Sequence, residues 1–118
     1  MRENNVIWTL EGTIKDGQKE VLETLMQEMV GTVSKEPGTL HYEWTLAADG
    51  KSLHVYERYA DEAATMAHLG TWSTFAERFM QAVTVTRFVV FSELPQKLKD
   101  AVAGLGPIYM KPIGGFAR

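Results

Sequence analysis

Apolar and polar positions change period along the chain, and each change marks an element. Val6, Trp8 and Leu10 alternate with Ile7, Thr9 and Glu11, which predicts a first strand over 6–11. Gly12 to Gly17 then reads as a turn, with Asp16 as N-cap of the next element. Val21, Leu22, Leu25, Met26, Met29, Val30 and Val33 form a broad stripe at helical spacing. Pro37 and Gly38 close that helix region. Alternation resumes over Thr39–Leu46 and again over Ser52–Tyr59, and Asp49 and Gly50 between them predict a hairpin. Asp61 caps a short helix through about His68, Gly70 breaks it, and Trp72, Phe75, Ala76, Phe79 and Met80 give a second short helical face. Val83–Phe91 is the last strand, with Val83, Val85, Arg87, Val89 and Phe91 on one side.

The resulting order is βαββαβ, an α+β arrangement. Two helices cover one face of such a sheet, yet the strands are apolar on both faces, so a homodimer is expected. The expected core holds Leu22, Leu25, Met26, Met29, Leu40, Val55, Phe75, Phe79 and Val89. Residues 1–94 form the domain. Residues 95–118 are an extension in which Gly104, Gly106, Pro107, Pro112, Gly114 and Gly115 forbid a long element. Ile108, Tyr109, Met110, Ile113 and Phe116 are too apolar for a solvated linker, so the extension is expected to lie on the domain or on a partner subunit.

Composition narrows the classes. The chain has 118 residues, enough for one domain with a modest core. There is no cysteine, which excludes disulfides, thiolate nucleophiles and Cys-bound metals and fits a cytoplasmic location. No apolar run is long enough for a membrane span, and Met1–Leu10 lacks the pattern of a leader. Net charge is -3; the extension carries four cations against Asp100, too sparse a charge for nucleic-acid binding.

Chemistry concentrates in a few residues. His41, His54 and His68 form no short metal motif, and no phosphate or dinucleotide glycine loop is present. His68 lies between an alanine-rich helix and the aromatic Trp72 and Phe75. It reads either as a proton-transfer or ligand group or as a capping or core hydrogen bond. Glu57 sits among apolar residues and needs a donor if buried. Arg87 is either that donor or a site for an oxygen-rich ligand.

Three segments carry a family resemblance: Glu36-Pro-Gly-Thr-Leu-His-Tyr-Glu43, Val55-Tyr-Glu-Arg-Tyr-Ala-Asp-Glu62 and Ala67-His-Leu-Gly-Thr71. The sequence resembles the antibiotic biosynthesis monooxygenase family over roughly Val6 to Phe91, in its quinol-monooxygenase-like branch. Ser73 and Trp72 stand where that branch often carries histidine and proline. The resemblance implies a ferredoxin-like βαββαβ fold that dimerises into an α+β barrel. It also implies a monooxygenase that oxidises a small aromatic quinol or phenol with molecular oxygen and no cofactor. His68 then becomes the candidate base and Arg87 the candidate oxyanion stabiliser, with Tyr42, Tyr59, Trp72 and Phe75 contacting substrate. The alternatives are a non-catalytic dimeric ligand-binding or accessory protein, or an isomerase, cyclase or decarboxylase of a related aromatic compound.

Overall fold

A computed structural model describes residues 4–118. The first three, part of the stretch read above for a leader, lie outside the described residues. The chain forms β1 (Val6–Ile14), α1 (Lys19–Val33), β2 (Thr39–Leu46), β3 (Ser52–Tyr59), α2 (Glu62–Ala82), β4 (Val83–Val90), α3 (Gln96–Val102) and β5 (Ile108–Tyr109).

The sheet order is β2-β3-β1-β4-β5. The first three pairings are antiparallel, and β5 joins β4 in parallel, Val89 opposite Ile108. The expected six-element fold closing into an α+β barrel is therefore corrected. The sheet is mixed, has five strands and ends in the free edges of β2 and β5, so it is not closed into a barrel. The extra strand and α3 come from the extension. Leu98 and Val102 of α3, with Leu94 before it, belong to the same core cluster as Trp8, Phe79 and Val90.

Two irregularities decide which side chains face the helices. In the pairing of β1 with β4 the register shifts between Glu11 and Gly12, so Glu11 faces Arg87 but Gly12 faces Val85. Thr86 is thereby the extra residue, and simple alternation fails across it. Val83 and Val85 join Phe88 and Val90 on the covered face, instead of sharing a face with Arg87. The second shift lies between Thr39 and His41 in β2. Leu40 is the bulged residue of an edge strand and is 54% exposed, which removes it from the expected core. Leu22, Leu25, Met29, Val55, Phe79 and Val89 are buried, while Met26 and Phe75 are half-buried.

The helices also differ from the simple reading. Gln18, not Asp16, occupies the cap position of α1, with no side-chain cap bond. Gly70 does not break α2, which runs unbroken for 21 residues. Glycine inside a helix costs about 1 kcal/mol relative to alanine. Here the inner face of Thr65, His68, Leu69, Trp72 and Phe79 outweighs that penalty by packing on the sheet. Asp61 caps α2 as expected, accepting from the Ala64 N–H at 2.8 Å. The hairpin turn is pinned by the Asp49 carboxylate, which accepts from the Lys51 and Ser52 N–H groups, both at 2.8 Å.

Candidate functional site

The site is built where the end of α1 meets the first half of α2 above β3. Gly38 ends the connection after α1, and a β-carbon there would overlap the Ala64 side chain. The absence of a side chain at Gly38 thus lets α2 approach the Glu36–Gly38 loop. That approach brings Glu36 against His68. The Glu36 Oε1 atom accepts from Thr39 Oγ1 at 2.7 Å and lies 3.0 Å from His68 Nδ1. On the sheet side, His68 Nε2 lies 3.2 Å from Glu57 Oε1. Glu57 and Tyr59 are two apart on β3 and share its covered face. The Tyr59 hydroxyl donates to the same Glu57 oxygen. His68 is therefore held between two carboxylates, one from each side, and is itself only 4% exposed.

Charge follows from this geometry. Burial alone would push the His68 pKa down, but the bonds and charges of Glu57, then of Glu36, outweigh it and raise the pKa above its ordinary 6.5. Burial opposes charge on Glu36, yet hydrogen bonds led by that of Thr39 hold its pKa below the ordinary value. Tyr59 and Tyr42 are pushed far up, first by burial and then by the Glu57 charge, and stay neutral.

A cavity opens beside this set, lined in part by Tyr42, Trp44, Glu57, His68, Trp72 and Leu105. Its free space is about 30 Å³, on the order of one water molecule. This space is too small for an aromatic ring with the wall side chains as they stand. Trp72 packs edge-on to Phe79 with centroids 5.3 Å apart, and Trp44 does so at 5.7 Å. Leu105 reaches the cavity from the turn after α3, so the extension forms part of the wall.

The sequence candidates separate cleanly in space. His68, Tyr42 and Trp72 line the cavity. Tyr59 stands behind it as the donor to Glu57, and Phe75 packs half-buried against the core beside it. Arg87 points to the other face of the sheet, 51% exposed, with Glu11 4.0 Å away. It neither pairs with Glu57 nor reaches this cavity. Glu36 carries no periodic signal of its own and was visible only as the first residue of the Glu36-Pro-Gly segment. Trp44 and Leu105 were missed as site residues. Among the described residues no cluster of His, Cys, Asp or Glu is arranged to hold a metal. No helix among them is long and apolar enough to cross a membrane.

Comparison with known proteins places this architecture. The family model for antibiotic biosynthesis monooxygenase matches residues 6–82, and the chain belongs to that family. Among solved structures it is similar to MupZ from Pseudomonas fluorescens, at 19% identity and a TM-score of 0.86, covering 98% of this chain and 91% of that one. It is similar to Rv0793 from Mycobacterium tuberculosis at 23% identity and a TM-score of 0.64, over 77% of this chain and 96% of that one. SnoaB, a cofactor-independent oxygenase from Streptomyces nogalater, matches at 15% identity and a TM-score of 0.65, over 78% and 95%. No curated protein matches the chain significantly. The greater coverage with MupZ means that the likeness extends into the segment after β4.

Proposed function

We propose that this protein oxidises a small phenol or quinol with molecular oxygen, without a cofactor, in the cavity between α2 and the sheet, as a quinol-type member of its family. The observation that carries this reading is the buried Glu36–His68–Glu57 set at one end of an aromatic cavity. Family membership and the likeness to a cofactor-independent oxygenase support the reaction class.

The chemistry needs a proton acceptor more than it needs a metal. A phenol that loses its proton becomes far easier to oxidise. A phenol with hydrogen at the para carbon then takes one atom of dioxygen into the ring as a quinone oxygen. The other atom leaves as water, and the substrate supplies all the electrons. His68 serves as base only within its set. Paired with Glu57 and Glu36, it takes up the substrate proton together with Glu57, and the protonated set stabilises the phenolate left behind. Trp72 and Trp44 orient the ring, and the apolar walls exclude water from the oxidised intermediate.

The active form is proposed to be a homodimer. Leu46, Ile108 and Phe116 are exposed apolar residues at the edges and tail, and they supply the apolar surface for it. Sedimentation at micromolar concentration is expected to give twice 13.2 kDa. The reaction is tested with 1-naphthol under labelled dioxygen, following oxygen uptake and product mass. One labelled atom in the product supports oxidation. Turnover that persists without oxygen assigns the same proton-transfer set to an isomerase or cyclase, and binding with no turnover assigns an accessory protein.

A further inference from the structure

The free space beside His68 and Glu57 is about 30 Å³. An apolar cavity of about 150 Å³ is known to admit benzene, so the space present is several-fold short of one ring. A ring that binds here displaces part of the wall. Which part gives way depends on how firmly each lining residue is held.

The wall is uneven in this respect. Among the described residues, every lining residue but one stands on β1 to β4, α1 or α2. The exception is Leu105, the last residue of a 3-10 turn over Ala103–Leu105. The chain is anchored on both sides of that turn. Before it, Leu98 and Val102 of α3 are each 1% exposed. After it, Ile108 pairs with Val89, and the Met110 N–H donates to the Val90 carbonyl at 2.8 Å. Between the anchors the hold is slight. Ala103, Gly104 and Gly106 are exposed, while Leu105 and Pro107 are half-buried. The bond that closes the turn, from the Gly106 N–H to the Ala103 carbonyl, is 3.2 Å long, at the far end of the usual range. Gly106 has φ 64°, a left-handed conformation that glycine adopts without steric cost. A segment with few buried contacts and exposed backbone bonds opens at low free energy. Turning Trp72 outward instead would strip its edge-on contact with Phe79 and bare an indole. Moving the turn bares one leucine.

We infer that Leu105 is a specificity-determining residue, a plug on a hinged turn that gives up its place to the incoming ring and so sets the largest ring the cavity accepts. This rests on the ring-binding reading above and adds a size limit to it. Leu105 lies outside residues 6–82, which the family model matches, so the limit is a property of the extension.

Two phenols of different size test this: 1-naphthol and the three-ring 9-phenanthrol. Both are titrated without oxygen, so that binding is read apart from turnover. The wild type is expected to prefer 1-naphthol. Leu105→Ala, which shortens the plug, is expected to reduce that preference about 10-fold, the scale of a small steric change in an apolar pocket. Gly104→Ala keeps the plug and stiffens its hinge, and a β-carbon at that position meets nothing within 4 Å. It is expected to slow 1-naphthol association about 2- to 5-fold in stopped flow, the equivalent of the chain entropy that a glycine-to-alanine change removes. This second variant carries the test should Leu105→Ala fold poorly. Equal affinity of the wild type for both phenols, an unchanged preference in folded Leu105→Ala, or an unchanged association rate in Gly104→Ala overturns the inference and leaves the ring-binding reading standing. Failure of 1-naphthol to bind the wild type and Leu105→Ala alike overturns both. Binding that follows the expected pattern without oxygen uptake upholds the inference and removes only the oxidation chemistry.

Discussion

The two faces of the sheet carry the same kinds of residues and reach opposite ends. On the covered face, His68 meets Glu36 with side chains 5% and 13% exposed. On the other face, His41 meets Glu43 at 2.8 Å with side chains 47% and 62% exposed. The distances are alike and the chemistry is not. Water and salt screen the outer pair, so its attraction is worth little. Under the helices the same attraction holds a proton on His68 against burial. Proximity of a histidine and a carboxylate is thus a weak sign of function, and the cover over them is what shifts the hold of His68 on its proton.

Substitution of the two histidines puts this contrast under the greatest strain. His68→Gln is expected to slow turnover about 10²–10⁴-fold per folded molecule, the range for losing a proton-transfer group. His41→Gln is expected to leave it within about twofold. Oxygen uptake normalised to folded protein, measured by circular dichroism, checks both. Wild-type turnover in folded His68→Gln sinks the role given to the covered face.

Packing offers the next test. Leu25 is 1% exposed beneath α1, and Leu40 is the exposed residue of the β2 bulge. Leu25→Ala is expected to cost about 2–5 kcal/mol in urea denaturation. Leu40→Ala is expected to stay within about 0.5 kcal/mol. Gly38→Ala falls between, at about 1–3 kcal/mol, because the added methyl meets Ala64 and pushes α2 from the Glu36 loop. It is expected to lower turnover more than its stability cost implies, since it parts His68 from Glu36. A loss of stability with turnover intact would show that the loop is not what positions the set.

These particulars explain how much of the molecule was legible beforehand. The strands and α1 announce themselves through periodicity, because one buried face imposes it. Bulges leave no such mark. One extra residue at Leu40 and another at Thr86 exchanged faces for their neighbours, and alternation alone placed them wrongly. Gly70 read as a breaker because local propensity is visible in sequence and tertiary packing is not. His68 stood out by its aromatic company, and Glu57 by its apolar company. Their pairing was hidden, since it depends on which helix turn lands over which strand residue. Arg87 stood as one of two readings for the partner of Glu57. The register puts Glu57 opposite Trp8 and Arg87 opposite Glu11, on different faces. The βαββαβ reading missed β5 because a two-residue strand has no period to detect.

Acid and alkali separate the faces more gently. His68 has a pKa raised above 6.5, so its contribution to stability is complete below that value and is lost as pH rises through the folded-state pKa. Glu36 has a pKa lowered from 4.5, so its contribution is present above that value and is lost as pH falls through its folded-state pKa. Stability is therefore expected to peak between the two and decline on the alkaline side as the imidazolium loses its proton between two carboxylates. His68→Gln is expected to flatten that alkaline decline in thermal denaturation at stepped pH. A decline identical in wild type and His68→Gln would assign it to other groups.

The smallest effect belongs to Arg87, and it bears on the outer face directly. With both side chains largely in water and 4.0 Å between them, Arg87 and Glu11 form a weak pair worth about 0–1 kcal/mol. Arg87→Gln is expected to change stability within that range, and the difference should shrink as salt rises. Turnover is expected to stay near wild type, because the guanidinium and the cavity lie on opposite sides of the sheet. The variant is informative because the family resemblance suggested an oxyanion-stabilising role for this residue. If Arg87→Gln abolishes turnover while the protein stays folded, the outer face takes part in catalysis. In that event the division of the sheet into one face that carries the chemistry and one that does not fails.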